Sequence, residues 1–456
     1  SREYKRLTMT KKQAQLTGAR TIALATLDKV RTSGAYSNLQ LNQALESGQL
    51  SGADRRLVTA LVYGTLQHQL TLDYWLSPFI AGKKVRPWVK TLLLMTLFQY
   101  QYLDRVPNFA ATDEAIEIAK RRGNPGVRRF VTGVLHAILR NGVADVEKIE
   151  DHKQRLAIQA SLPDWLVDEL VAQYGLAQTE ALAKVINEPA RISLRVNRAK
   201  ATVEEAQALL RSAGVETKPS EVAQNGLVVT KGAVLKTAAF KNGVVTIQDE
   251  SAMLAVESMH LTGHERVLDA CAAPGGKTVQ IAEALTDGEV YALDIHRHKV
   301  GLIEKNAQRM GVDDRVFARQ LDARQVGQEF ADQFFDQILV DAPCSGMGLL
   351  RRKPEIRYDK QLGDSQRLHQ IQGAILDSVA TKVKKGGIIT YSTCTILRQE
   401  NDETVAEFLK HHPNFRLQKT TTARMLKDNR QAQTLTLLPS DYGSDGFFIS
   451  NLQRVQ

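Results

Sequence analysis

Cysteine is scarce in this 456-residue chain: Cys271, Cys344 and Cys394 are the whole set. An odd and sparse number excludes a disulfide scaffold and points to a reducing compartment. No pair has C-x-x-C spacing, so a structural zinc is excluded and no metal is expected. No apolar run approaches the ~18 residues of a membrane-spanning helix, and no secretory leader is seen at the start. A first residue of Ser rather than Met is what a processed or artificially cut end is expected to show. Internal repeats and low-complexity tracts are missing as well. What is left is a multidomain globular protein, cytoplasmic, without a membrane partner and taken as a monomer, with a length that suits about three domains.

Charge is in excess at one place only. The net charge is +10, yet residues 1–145 hold 21 Lys and Arg against 10 Asp and Glu, and the remainder holds 39 against 40. That asymmetry points to nucleic-acid contact by the first third; a basic surface kept for solubility would look the same. The same third reads as all helix. Leu57, Leu61, Leu66 and Leu70 recur at helical spacing, as do Ala111, Ala115, Ile118 and Ala119, and then Phe130, Val134, Leu135, Ile138 and Leu139. Asn124-Pro125-Gly126 marks a turn. Basic clusters punctuate the helices at Lys83, Lys84 and Arg86, at Lys120, Arg121 and Arg122, and at Arg128 and Arg129. Through LVYGTLQHQLTLDYWL (61–76), LFQYQYLDRVPNFAATDEAIEIAK (97–120) and FVTGVLHAILRNG (130–142), this region resembles the NusB family of helical RNA-binding domains. The resemblance implies RNA or ribonucleoprotein binding by residues 1–145, or a packing role.

Residues 146–165 read as a helical connector, and 166–260 as a small α+β subdomain of ferredoxin- or RRM-like type. ISLRVN (192–197) alternates as a strand, Thr202 with Glu205 forms a capping box for a helix ending near Gly214, and 227–230 and 244–247 are further strands. Arg191, Arg195 and Arg198 are candidates for phosphate contact, or plain surface charge. From 261 to 456 the pattern is βα repeated, with strands at 266–271, 290–295, 316–321, 336–341 and 387–392 and helices at 277–285 and 299–310. Hairpin-like strands follow near 415–418 and 447–452. This is the pattern of a doubly wound parallel sheet with helices on both faces, whose functional loops lie at the carboxyl ends of the strands.

Those strand ends carry the chemistry. RVLDACAAPGGKT (266–278) makes a strand, a Gly-rich turn and a helix. Its glycines fit neither the G-x-G-x-x-G dinucleotide pattern nor the P-loop, so a nucleoside-like ligand is expected rather than NAD or ATP. Asp294 stands about 20 residues on, where a ribose-binding carboxylate belongs. Asp294 and Asp322 suit a ribose hydroxyl pair and an adenine amino group, with helix capping as the plainer role. Asp341-Ala342-Pro343-Cys344 and Tyr391-Ser392-Thr393-Cys394 end consecutive strands, which in this topology are often neighbours about 4.8 Å apart. Two thiols facing one crevice is unusual for core cysteines.

LDACAAPGGKT, DAPCSGMG and YSTCTILRQEN resemble three motifs of the RNA cytosine-C5 methyltransferases. With the NusB-like front domain and the closing LLPSDYGSDGFFIS (437–450), the chain resembles the bacterial RsmB (Sun/Fmu) 16S ribosomal RNA methyltransferases over nearly its whole length. The resemblance implies a Rossmann-like class I methyltransferase domain at 261–456. It implies S-adenosyl-L-methionine held by Cys271, Ala272, Ala273, Pro274, Gly275, Gly276, Lys277, Asp294, Lys299, Asp322 and Asp341; Lys299 stands where the family often has Arg. It implies a 16S rRNA substrate, free or in an assembling small subunit. Cytosine C5 is too weak a nucleophile to take a methyl group directly, and a thiolate adding to C6 makes it enamine-like. By resemblance Cys394 is that nucleophile, Cys344 assists breakdown of the adduct, and Asp341 holds the cytosine edge; the target base must be splayed out to be reached. Arg351-Arg352-Lys353, just after the thiol loop, is a candidate RNA grip or an ordinary basic turn. Two rivals stand: a DNA-type enzyme attacking with Cys344, and a non-catalytic RNA-binding or assembly factor.

Overall fold

The computed structural model describes residues 18–47 and 50–456. Ser1 and five cations of the basic excess (Arg2, Lys5, Arg6, Lys11 and Lys12) lie outside the described residues. The chain divides into two compact units. One takes the residues up to 188 together with 350–359, and the other takes 189–349 and 360–456.

The first unit is helical. The helix Pro87–Tyr102 is buried through Leu92, Leu93, Leu94, Met95, Leu97 and Phe98, and the helices Ala19–Ser33, Gly52–Gln67, Gln69–Ile80, Asn108–Arg122 and Pro125–Asn141 pack against it. Gly64, on the helix Gly52–Gln67, lets that helix approach closely: a Cβ there would lie 2.0 Å from the Phe98 ring. The apolar spacing read from sequence finds this core at Leu61, Leu66, Ala111, Ala115, Ile118, Ala119, Val134, Leu135 and Ile138, all buried. Leu139 instead faces solvent. The expected turn at 124–126 is tighter than its residues suggest. Asn124 caps the helix Pro125–Asn141 by accepting from the Val127 N–H at 2.9 Å, so Pro125 already occupies the first helical turn.

The segment 350–359 packs inside this helical unit. Arg357 is fully buried; its Nη1 donates to the carbonyls of Ala160 and Ser161, both at 3.2 Å, and to Asn187 Oδ1 at 2.9 Å, and its Nη2 donates to Leu350 O at 3.1 Å. Tyr358 Oη donates to the Leu66 carbonyl, and the Glu355 carboxylate accepts from Ser37 N and Oγ at 2.8 and 2.7 Å. Of the candidate run Arg351-Arg352-Lys353, Arg351 is buried and not open to RNA, while Arg352 and Lys353 are half-buried, with Lys353 Nζ 5.6 Å from the Tyr36 ring centre.

The second unit holds two sheets. The smaller is antiparallel, β1 (Ser193–Val196), β2 (Glu216–Pro219), β3 (Gly226–Lys231) and β4 (Val245–Ile247), in the order β2-β3-β1-β4. Its helix Val203–Ser212 starts as read, with Thr202 Oγ1 accepting from the Glu205 N–H at 3.1 Å. Arg195 is not available to phosphate: it is 2% exposed, and its Nη2 lies 2.9 Å from Glu283 Oε1.

The larger sheet comprises β5 (Arg266–Asp269), β6 (Glu289–Asp294), β7 (Val316–Gln320), β8 (Phe335–Asp341), β9 (Val383–Thr393), β10 (Phe415–Gln418), β11 (Leu435–Leu437) and β12 (Phe447–Arg454). Its order is β10-β12-β9-β8-β5-β6-β7, with β11 on β12. The β5–β9 strands pair parallel, and β10, β11 and β12 add an antiparallel edge, so the sheet is mixed. The chain winds outward from β5 through β6 to β7 and then resumes on the other side with β8. Strand order therefore reverses between β5 and β8, where doubly wound sheets open a crevice at the strand carboxyl ends. Among the described residues no helix is long and apolar enough to cross a membrane, and no group of three or more His, Cys, Asp or Glu is placed to hold a metal ion.

Candidate active site

At that switch point lies a cavity of about 380 Å³, within the range of small-ligand sites. Of the residues singled out from sequence, Cys271, Ala273, Asp294, Lys299, Asp322, Asp341, Cys344 and Cys394 line it. Ala272, Pro274, Gly275, Gly276 and Lys277, also singled out, are not among its lining residues. Gly275 has φ +105°, the left-handed region that favours glycine, and a Cβ there would lie 3.0 Å from Ile303 Cα. That turn opens the helix Gly276–Ala284.

Asp269, the last residue of β5, is 1% exposed and accepts from Thr278 Oγ1 at 2.6 Å. Burial pushes its carboxyl up to about 7, against the pull of the Thr278 hydrogen bond. Cys271 is pushed up by burial and by the surrounding Asp269, Asp341, Asp294 and Asp322, and so stays an unreactive thiol. Asp294 and Asp322 line the cavity and cap the turns that follow, which is the plainer of the roles read for them. Asp294 Oδ1 accepts from the His296 N–H at 2.9 Å and Asp322 Oδ1 from the Arg324 N–H at 2.9 Å. The Arg324 guanidinium also binds the Asp322 carboxylate and holds it below the usual range.

Asp341 ends β8 opposite Ser392 of β9. Its Oδ1 accepts from Ser392 Oγ at 2.9 Å and its Oδ2 lies 2.8 Å from Lys277 Nζ. Burial works against the Lys277 charge, but the Asp341 carboxylate outweighs it and raises the ammonium, with a further contribution from Cys394 nearby. The two cysteine sulfurs at the ends of these neighbouring strands are 3.0 Å apart. The loop from Cys344 is pinned against the loop from Cys394: Gly348 N–H donates to the Cys394 carbonyl at 2.9 Å, and Gly348 O accepts from Gly446 N–H at 2.9 Å. No side chain fits at 348, since a Cβ would lie 2.2 Å from Gly446 O. The Cys344 thiol is pushed well up, first by its hydrogen bond with Cys394 and then by burial.

Nine wall residues are not among those singled out as site residues from sequence: Ala270, Ile295, His296, Ala323, Arg324, Ala342 and Pro343, and from one helix Ile371 with Ile375. The signal for the latter pair was there, as an i, i+4 apolar pair on the helix Leu362–Val379.

Similarity to known proteins agrees with this architecture. Residues 256–453 match the family model for the 16S rRNA methyltransferase RsmB/F, residues 17–140 the NusB family, and residues 162–235 the ferredoxin-like domain of the RsmF/B-like methyltransferases. The chain is 44% identical to the probable ribosomal RNA small subunit methyltransferase B of Bacillus subtilis, over 96% of this chain and 99% of that one. It is 32% identical to the ribosomal RNA small subunit methyltransferase B of Yersinia pseudotuberculosis, over 95% and 98%. The crystal structure of PH0851 superposes with a TM-score of 0.81 at 25% identity, covering 96% of this chain and 99% of that one. A methyltransferase homologue from Pyrococcus horikoshii shares the fold with a TM-score of 0.58 at 23% identity, over 67% and 100%. A NusB-type helical domain, a ferredoxin-like sheet and a methyltransferase sheet with two thiols at its switch point, matched from end to end, place this chain in the RsmB/F family of small-subunit ribosomal RNA methyltransferases.

Proposed function

We propose that the chain transfers a methyl group from S-adenosyl-L-methionine to C5 of a cytosine in 16S rRNA, through a covalent bond between Cys394 and C6. The observation that carries this reading is the 3.0 Å approach of the two thiols on the wall they share with Asp341. Cofactor fit rests on the donor set. Asp294 and Asp322 offer carboxylates at the ends of β6 and β7, and Ala273 and Gly275 keep the turn free of bulk. Bound there, S-adenosyl-L-methionine supplies an electrophilic methyl group on its sulfonium. Asp294, Asp322, Lys299 and the 271–277 turn would hold it.

The chain's own residues do the rest. The Cys394 thiolate adds to C6, and the electron pair displaced from the C5–C6 bond makes C5 nucleophilic. Asp341 would hold the N3–N4 edge of the cytosine, its carboxylate accepting from the N4 amino group. After methylation the C5 proton passes to water, the C5–H electron pair restores the C5–C6 double bond, and the Cys394–C6 bond breaks with its electron pair returning to sulfur. The Cys344 S–H, held as a thiol 3.0 Å away, donates a hydrogen bond to the departing sulfur. The rRNA is bound in the cytoplasm, free or in an assembling small subunit.

Two measurements test this reading. Cys344→Ala, incubated with rRNA and S-adenosyl-L-methionine, is expected to accumulate a covalent protein–RNA species, seen as a retarded band on a denaturing gel and absent from the parent. A fully active, adduct-free Cys344→Ala would sink the role assignment, and adduct formation by Cys394→Ala instead would restore the DNA-type scheme. The helical domain is tested by charge. Deleting residues 1–145 would also strip 350–359 of its packing partners, so substitution is the cleaner route. Arg121, Arg128 and Arg129, all exposed, changed together to Gln should weaken rRNA binding. The slope of log affinity on log salt should drop by about 2 if all three meet phosphates of a single strand. An unchanged slope would leave these arginines no part in RNA contact.

A further inference from the structure

We propose that Glu400 is a positioning residue for the two-thiol site: its buried carboxylate ties down both chain neighbours of Cys344 and so holds Cys344 as the donor and Cys394 as the acceptor sulfur. The inference rests on the two-thiol reading above and deepens it.

Glu400 is 0% exposed and accepts four hydrogen bonds. Its Oε1 takes the Ser345 N–H at 2.8 Å and Gln372 Nε2 at 3.2 Å; its Oε2 takes Ser345 Oγ at 2.6 Å and Ser365 Oγ at 2.8 Å. Gln372 Nε2 also donates to the Pro343 carbonyl at 2.9 Å. Pro343 and Ser345 flank Cys344, so one carboxylate, directly and through Gln372, fixes the peptide on either side of that thiol. Ser345 Oγ lies 2.9 Å from Thr395 Oγ1, which extends the tie to the residue after Cys394. Glu400 is itself fixed from behind, where Tyr391 Oη donates to its carbonyl at 2.5 Å.

All four donors are neutral. A buried carboxylate met by neutral donors costs stability that a neutral clamp would avoid. The charge has a function at the thiols instead. With all four acceptor positions of the carboxylate engaged, protonation would set an O–H against a donor, so the hydrogen bonds favour the ionised form although burial pushes Glu400 upward. The resulting negative charge stands on the Cys344 side of the pair and adds to what keeps the proton on Cys344. Cys394 is then the sulfur free to attack, with the Lys277 ammonium nearby.

Glu400→Gln keeps the shape but removes the charge and sets an NH2 against donors. Compared with the parent and with Cys344→Ala, Glu400→Gln should show the retarded protein–RNA band. Its multiple-turnover rate should fall roughly 100-fold, as a displaced reacting group costs, while a single round of methyl incorporation stays within about tenfold of the parent, since attack by Cys394 is left in place. Parental turnover without a band would overturn the proposal. So would equal loss of the single and multiple rounds without a band, which is what a merely structural residue gives. Should Glu400→Gln fail to fold, judged by thermal unfolding and by binding of S-adenosyl-L-methionine, Ser365→Ala removes one donor from the far side of the carboxylate and should give a weaker band; its absence would be equally decisive. If Cys344→Ala itself leaves no band, the two-thiol reading fails first and takes this inference with it.

Discussion

Cys394→Ala is expected to abolish methyl transfer while leaving the fold intact. Loss of a nucleophile that works as a unit with its partners costs on the order of 10⁴-fold to 10⁶-fold, because no other group in the cavity is left to take its place. Cys344 does not replace it, since burial and the Glu400 charge still push that thiol up once the Cys394 sulfur is gone. Asp341 does not either, since both its oxygens are engaged, by Ser392 and by Lys277. Stability should barely change. The contact that pins the two thiol loops uses the Cys394 carbonyl, not its sulfur, and trimming one sulfur costs about 1 kcal/mol. The assay is methyl incorporation into rRNA with the denaturing gel run in parallel: neither product nor retarded band should form. Cys344→Ala with Cys394→Ala in one chain should also give no band, because the adduct expected of Cys344→Ala alone requires Cys394. A band from the double variant would mean that a third group attacks.

How much of this site is legible in the sequence follows from how each residue reaches it. Asp294, Asp322, Asp341, Cys344 and Cys394 can be found by reading strand ends, because a parallel sheet brings those ends to one edge whatever their separation in the chain. Glu400 cannot be found that way. It lies past the end of β9, and its part depends on hydrogen bonds to Ser345, Ser365 and Gln372, none of which a periodicity reveals. Basic residues misled for a related reason. Arg195 and Arg351 look like any surface arginine in the sequence, yet both are buried. Charge on paper does not say whether a guanidinium faces water or a carboxylate such as Glu283. The antiparallel edge of the main sheet was seen as two late strands; β11, only Leu435–Leu437, is too short for alternation to show. The fold was more legible than the site's supports because helices and strands are set by local periodicity, whereas supports are set by contacts across the chain.

Arg357→Ala should destabilise the helical unit by about 3–5 kcal/mol, the usual cost of breaking a buried charged network. The Arg357 guanidinium is fully buried, and its main acceptors are backbone carbonyls: Ala160 and Ser161 at the C-terminal end of the helix His152–Ala160, Leu350 and, at 3.4 Å, Gln67 at the end of Gly52–Gln67. Helix C-termini carry unsatisfied carbonyls and a partial negative charge, so a cation there replaces both water and counter-charge. Truncation to Ala strands those carbonyls in a dry site and leaves a cavity besides. Arg357→Lys should recover only part of the loss, since one ammonium cannot reach acceptors spread around a planar fork. The measurement is unusually clean because Trp75, Trp88 and Trp165, the chain's three tryptophans, all lie in the helical unit. Tryptophan fluorescence in a urea titration therefore reports that unit alone, and its midpoint should drop sharply for Arg357→Ala, less for Arg357→Lys and not at all for Cys394→Ala. An unmoved midpoint for Arg357→Ala would show that the carbonyl cluster is satisfied without the arginine. The segment that carries Arg357 leaves the catalytic unit just after the DAPCSGMG loop. Losing its anchor should therefore also slacken the end of that loop, and turnover should fall in the same rank order as the fluorescence midpoint.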